Sequence, residues 1–177
     1  MRKEKYAAYS FRIGSAIGGI VFLYHILMFF FAKDAPNITR FIYMAIFIAG
    51  LSYVFVNYRR NIAMRSNVAF GRLMAIGTIV SLMVSLFYAL FITVLIYKLD
   101  ISFVQNIAEK SALMLEKMGM DASIYRNEGM QAMMQAAYPY MMFFWDFIGS
   151  VLLSLILSFF VSRTNTPLPE NFEDQNN

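Results

Sequence analysis

The chain has 177 residues, of which 59% are hydrophobic and only 15% charged, and its formal net charge is +4. Soluble domains sit near half apolar and about a quarter charged, so this balance belongs to a membrane protein and argues against an aqueous enzyme domain. Cysteine is absent, which excludes a disulfide framework and thiolate chemistry. The basic residues flank apolar runs, which fits membrane topology and not nucleic-acid binding.

A helix crosses the bilayer core with roughly 20 apolar residues. The first run that qualifies is Ile13–Ala32. The preceding "MRKEK" looks like the basic region of a signal peptide. However, the run exceeds an h-region of about 7–15 residues, and Lys33 stands where a cleavage site wants a small residue. An uncleaved span is expected. It carries two overlapping small pairs, Gly14 with Gly18 and Ser15 with Gly19, together with the sole histidine, His25. The second run, Phe41–Tyr58, is the shortest and carries Ala45, Ala49 and Gly50. The connection after it holds Arg59, Arg60, Arg65 and Arg72, four cations suited to anionic headgroups, each contributing about 1 kcal/mol.

The third run is Leu73–Tyr97, with Gly77, Ser81, Ser85 and Ala89 in an unbroken four-residue series. Residues 100–138 then read as two amphipathic helices. Asp100 opens the first, with Val104, Ile107, Met114, Leu115 and Met118 inward and Glu109, Lys110, Glu116 and Lys117 opposite. Gly119 is its stop, and Asp121 or Ser123 caps the second. Eight of the fourteen methionines lie between Met114 and Met142. Such a face suits the outer leaflet, a docking partner or, through "MGM" at 118–120, a soft metal, although no Cys or His stands nearby. Pro139 is expected to mark the entry to the fourth span, Tyr140–Val161, which carries Ser150, Ser154 and Ser158 beside Gly149. The tail "TNTPLPENFEDQNN", within 164–177, is polar and acidic and is expected to be a disordered cytoplasmic segment.

Lys and Arg crowd the N-terminus and the link between helices two and three. In the segment after helix three, acids outnumber bases. The positive-inside rule therefore puts both termini in the cytoplasm and 98–139 outside. Tyr97, Tyr138, Tyr140 and Trp145 are then expected at the outer interface, and Tyr6, Tyr9, Tyr53 and Tyr58 at the inner one.

One carboxylate, Asp146, falls inside the fourth apolar run. An acid at a helix centre costs about 2.5–3.5 kcal/mol, and each Leu, Ile, Phe or Val returns about 0.3–0.6. The thirteen such residues from Met141 to Val161 carry it into the membrane. His25 and Asp146 are each expected roughly 10 Å below the outer surface, and both share a face with small residues. Three readings stand: Asp146 snorkels or bonds a neighbouring hydroxyl, it pairs with His25 to fix register, or the two form a proton or ligand site.

The stretch "NYRRNIAMRSNVAFGRLMAIGTIVSLMVSLFYALF" resembles the central signature of a bacterial four-helix membrane family, domain of unknown function 4199. The matching positions are Tyr58, Arg59, Phe70, Gly71, Arg72 and Gly77, with "EKMGMD" and a Ser-rich last helix also similar. Where such proteins often carry Asp-Pro after helix three, this chain has "LDISF". The resemblance implies a bacterial inner membrane and supplies no catalytic residues. The expectation is an all-α protein: one transmembrane domain over residues 1–163, a four-helix bundle with an extracytoplasmic amphipathic helical pair between helices three and four. Its small residues, Gly14, Gly18, Gly77, Ser81, Ser85, Ser150 and Ser154, would let backbones approach. No catalytic residue, metal or cofactor is assigned. The partners considered are the bilayer and another membrane protein or a second copy. The functions weighed are a non-enzymatic accessory or scaffold, a small proton-coupled carrier using Asp146 and His25, and a subunit of a membrane enzyme complex.

Overall fold

The computed structural model describes residues 3–31, 36–62 and 68–163. Lys33, Asp34, Arg65 and the tail expected to be disordered lie outside them. Helix α1 spans Lys3–Phe31 and α2 spans Pro36–Asn57, closing in a π-helical turn at Tyr58–Ile62. Helix α3 spans Phe70–Val94 and closes in a second π turn, Leu95–Leu99. Helix α4 (Phe103–Lys117) and a single turn, α5 (Ser123–Arg126), lead to α6 (Glu128–Arg163). No strand occurs among the described residues.

Four helices are long and apolar enough to cross a membrane: Tyr6–Phe31, Ile38–Arg60, Phe70–Leu99 and Glu128–Ser162. The chain is an integral membrane protein by this measure and by its inverted polarity. On α3, Leu82, Leu86 and Leu90 face outward, while Ser81 and Ser85 are buried. On α6, Phe144, Ile148 and Leu152 face outward, while Ser150, Ser154 and Ser158 are buried. Apolar side chains gain nothing by turning inward from lipid, so small residues take the interior and let backbones close up.

Helix α3 is the hub, flanked by α1 and α6, with α2 leaning mainly on α1. A Cβ on Gly14 would lie 3.1 Å from the Val80 Cα, and one on Gly18 would lie 3.2 Å from the Met83 carbonyl oxygen and against the Phe87 ring. Gly77 faces the Ser154 side chain and the Phe55 ring so closely that no side chain fits. The glycine pair of α1 therefore serves contact within the chain. Two tyrosine hydroxyls tie α1 to α2, one at each end. Tyr9 donates to the Val54 carbonyl at 3.2 Å, and Tyr24 to the Thr39 carbonyl at 2.8 Å.

The segment between α3 and the start of α6, whose end of the bundle is termed outer as the charge pattern suggests, departs from expectation in two ways. Pro139 does not separate two helices: α6 runs unbroken through it for 36 residues. Such a helix is about 54 Å long and overshoots the roughly 30 Å hydrocarbon layer, so its first turns are the second helix of the expected outer pair. Asn127 caps it, its side-chain oxygen accepting from the Gly129 and Met130 amides at 2.8 and 3.4 Å. Proline removes one rung of the ladder, a loss that helices of membrane proteins tolerate among close neighbours. Second, the buried stripe of α4 is Val104, Ala108 and Ala112, while Met114 and Met118 are exposed. Alanine lets α4 lie close to its neighbours, and the methionines turn outward.

Gly119 does end α4. It adopts a left-handed φ of 75°, and the amides of Gly119 and Met120 bond the carbonyls of Glu116 and Leu115, both at 3.0 Å. This pair of bonds is a Schellman cap, which favours glycine at the left-handed position. Arg126 then reaches back to Glu109 at 3.1 Å and Glu116 at 2.5 Å, clamping α5 to α4.

Candidate functional site

Polar groups gather where α1, α2, α3 and α6 meet in the outer half of the bundle. Asp146 is mostly buried there. Its two carboxylate oxygens accept from the Tyr43 hydroxyl at 2.6 Å and the Ser85 hydroxyl at 2.7 Å. Ser150, one turn further along α6, lines the same small hollow as Tyr43 and Asp146. One carboxylate thus joins three helices. Of the three readings of Asp146, the bonded neighbouring hydroxyl is the one that matches these contacts.

His25 is close but is not a hydrogen-bond partner of Asp146. Its Nδ1 lies 2.9 Å from the Val21 carbonyl oxygen, one turn back on α1. A carbonyl only accepts, so Nδ1 carries the proton. The imidazole is caged by rings: Tyr24, Tyr43, Tyr88 and Phe91 have centroids 5.0–5.2 Å from its own. In place of a direct His25–Asp146 pair, one of the three readings, Tyr43 stands between the two, hydrogen-bonded to Asp146 and in edge contact with the His25 ring.

Sequence reasoning missed Tyr43 altogether and counted Ser85 only as a packing residue. The signals were present. Ser85 closes the α3 series with Gly77 and Ser81, and Asp146 opens the α6 series with Ser150 and Ser154, so the two polar ends meet. Tyr43 lies seven residues before Gly50, which packs on Ile17 of α1; both therefore look toward the bundle. Tyr58, expected at the inner interface, is fully buried in the core beside Tyr9, their ring centroids 5.7 Å apart.

A cavity of about 540 Å³ opens above this centre. Its deep end is aromatic, with His25, Tyr43, Tyr88 and Phe91, and its outer end carries Arg40, Asp100, Asn106 and Lys110. Phe103 and Ile107 of α4 close it from outside. A smaller space of about 290 Å³ lies on the other flank of Tyr43 and Asp146, against Trp145 and Gly149. Tyr43 thus borders both hollows, while Asp146 borders only the smaller one. Among the described residues no three His, Cys, Asp or Glu side chains converge as a metal site. Of the four arginines assigned to headgroups, Arg60 and Arg72 are exposed and Arg59 is partly so.

No curated protein and no solved structure matches the chain. A family model does, over residues 12–163, which takes in most of the first span, the other three, the polar centre and the cavity. The chain belongs to the family described as protein of unknown function (DUF4199).

Proposed function

We propose that the protein is a non-enzymatic accessory or scaffolding component of the bacterial inner membrane, with both termini in the cytoplasm. The observation that carries this reading is the Asp146 centre: its carboxylate accepts from Tyr43 and Ser85 and so fixes α2, α3 and α6 together. A group committed in this way specifies register, an attested use of buried polar contacts. The orientation rests on the excess of Lys and Arg at the N-terminus and after α2. The native absence of cysteine allows it to be tested with single introduced cysteines labelled from either side of intact cells. Labelling of a cysteine at Ser123 only from the cytoplasmic side would reverse it.

A proton-coupled carrier is the second reading, and one contact favours it: Tyr43 lines the larger cavity and also bonds Asp146. Asp146→Asn and His25→Ala separate the two. The scaffold reading expects lower thermal stability in detergent and no change in proton uptake by reconstituted vesicles. Abolished uptake with unchanged stability would instead make Asp146 a carrier group.

A further inference from the structure

The larger cavity is graded along its helices in a way that a purely structural void has no reason to be. Along α2 the cavity lining passes from Tyr43 to Arg40, and past the apolar Phe91, Ile92 and Leu95 of α3 and its π turn it reaches Asp100 and, on α4, Lys110; α1 contributes His25, Met28 and Phe29. Its walls include Met28, Phe29, Phe91, Ile92 and Leu95, while Arg40 and Lys110 stand at the outer end. Both cations are exposed. Asp100 is the one carboxylate lining the cavity, and it already accepts the Ser102 hydroxyl at 2.8 Å. The outer end thus has two cations against one engaged acid, over a hydrocarbon-like interior. The volume, about 540 Å³, falls in the small-ligand range of about 300–1,000 Å³.

We propose that this cavity binds a single alkyl chain with an anionic head, the head on Arg40 and Lys110 and the chain against Phe91, Ile92 and Leu95 beneath α4. A small inorganic anion would leave the apolar walls unused, and a neutral hydrocarbon would leave the cations unused. The matching chemistry is a long-chain carboxylate, or one chain and the phosphate of an anionic phospholipid. The inference goes beyond the scaffold reading and does not require it.

The test uses the full chain in nanodiscs of zwitterionic phosphatidylcholine, with dansyl-labelled undecanoate as the probe. Saturable fluorescence enhancement is expected, displaced by palmitate and not by methyl palmitate. Loss of both cations in Arg40→Gln/Lys110→Gln weakens binding about thirtyfold, as expected for two charges near a membrane surface. Arg40→Lys/Lys110→Arg keeps the charges and restores it. Should the neutralised double variant fail to fold, Lys110→Gln alone, on the exposed face of α4, serves with about a fivefold loss. Leu95→Trp fills the cavity and abolishes the signal. Displacement by palmitate but not by added phosphatidylglycerol assigns a free fatty acid; displacement by phosphatidylglycerol assigns the phospholipid. Equal displacement by the methyl ester, or unchanged binding in folded Leu95→Trp or in the folded neutralised double variant, overturns the proposal.

Discussion

The inner and outer halves of this bundle use the same helices and solve opposite problems. Toward the inner half, α1, α3 and α6 close on glycine and serine, with Gly14 against Val80 and Gly77 against Ser154. Toward the outer half, α1 and α3 present His25, Tyr88 and Phe91, and rings of this size hold the helices apart around a cavity. Side-chain volume along each helix, and not hydrophobicity, decides where the bundle is tight and where it opens. Each half also handles its polar groups differently. Ser81, Ser154 and Ser158 are buried hydroxyls with no hydrogen-bond partner among the described residues, whereas Asp146 has two.

The contrast is broken most severely at Gly77. Gly77→Val places a branched side chain against Ser154 and Phe55, and a loss of about 3 kcal/mol is expected, at the top of the usual range for overpacking. Unfolding in mixed micelles measures it. A loss below about 1 kcal/mol would mean that the α3–α6 seam is looser than drawn.

Asp146→Ala comes next. It strands the Tyr43 and Ser85 hydroxyls, at a cost of about 1–2 kcal/mol, since hydrogen bonds within membranes average about 0.6 kcal/mol and reach about 1.7. Tyr43→Phe and Ser85→Ala should each cost less than the alanine at Asp146. If the double variant Tyr43→Phe/Ser85→Ala is no less stable than wild type, the carboxylate is not a pin.

A smaller effect, of opposite sign, is expected at the glycines that face open space. Cβ atoms on Gly19 and Gly149 would meet nothing within 4 Å. Gly19→Ala and Gly149→Ala should therefore gain up to about 1 kcal/mol from helix propensity alone. A loss at either position would show that its surface is covered by something outside this chain.

The smallest effects belong to the outer corner. The Ser123 amide, and then its hydroxyl, hold the Asp121 carboxyl below its ordinary value of 3.8. A depressed acid stabilises the fold when ionised, so its contribution is fully present above that value and is lost as pH falls through the lower, folded one. The Ser123 amide resonance should report this titration, and a midpoint at or above 3.8 would contradict it. Arg126→Ala removes the clamp on Glu109 and Glu116. All three side chains are solvent-exposed, so the melting temperature should not move, while amide exchange over 118–127 accelerates.

The four spans were legible in the sequence because length and apolarity are the physical requirement for crossing a bilayer. The small-residue series were legible because a four-residue period repeats one helix face. What escaped was whatever depends on a second helix. Asp146 announced a need for a partner without naming it, and the only histidine drew attention from a tyrosine and a serine. Pro139 suggested a boundary because local sterics disfavour helix before proline, yet the Asn127 cap and the packing of α6 outweigh that local preference. The π turn at Leu95–Leu99, which closes with the Asp100 amide on the Leu95 carbonyl at 2.7 Å, left no mark in periodicity at all.

Pro139 has no amide proton to give to the ladder of α6, so the longest helix of the protein carries its weakest rung there. Tyr138 on one side of it and Met142 on the other both line the larger cavity. Bending about that joint would swing the outer turns, with α5 and α4 attached to them, while the serine seam below stayed shut. A bend at that joint would act at the level where the hollow is lined by Tyr138 and Met142, and would widen or narrow it.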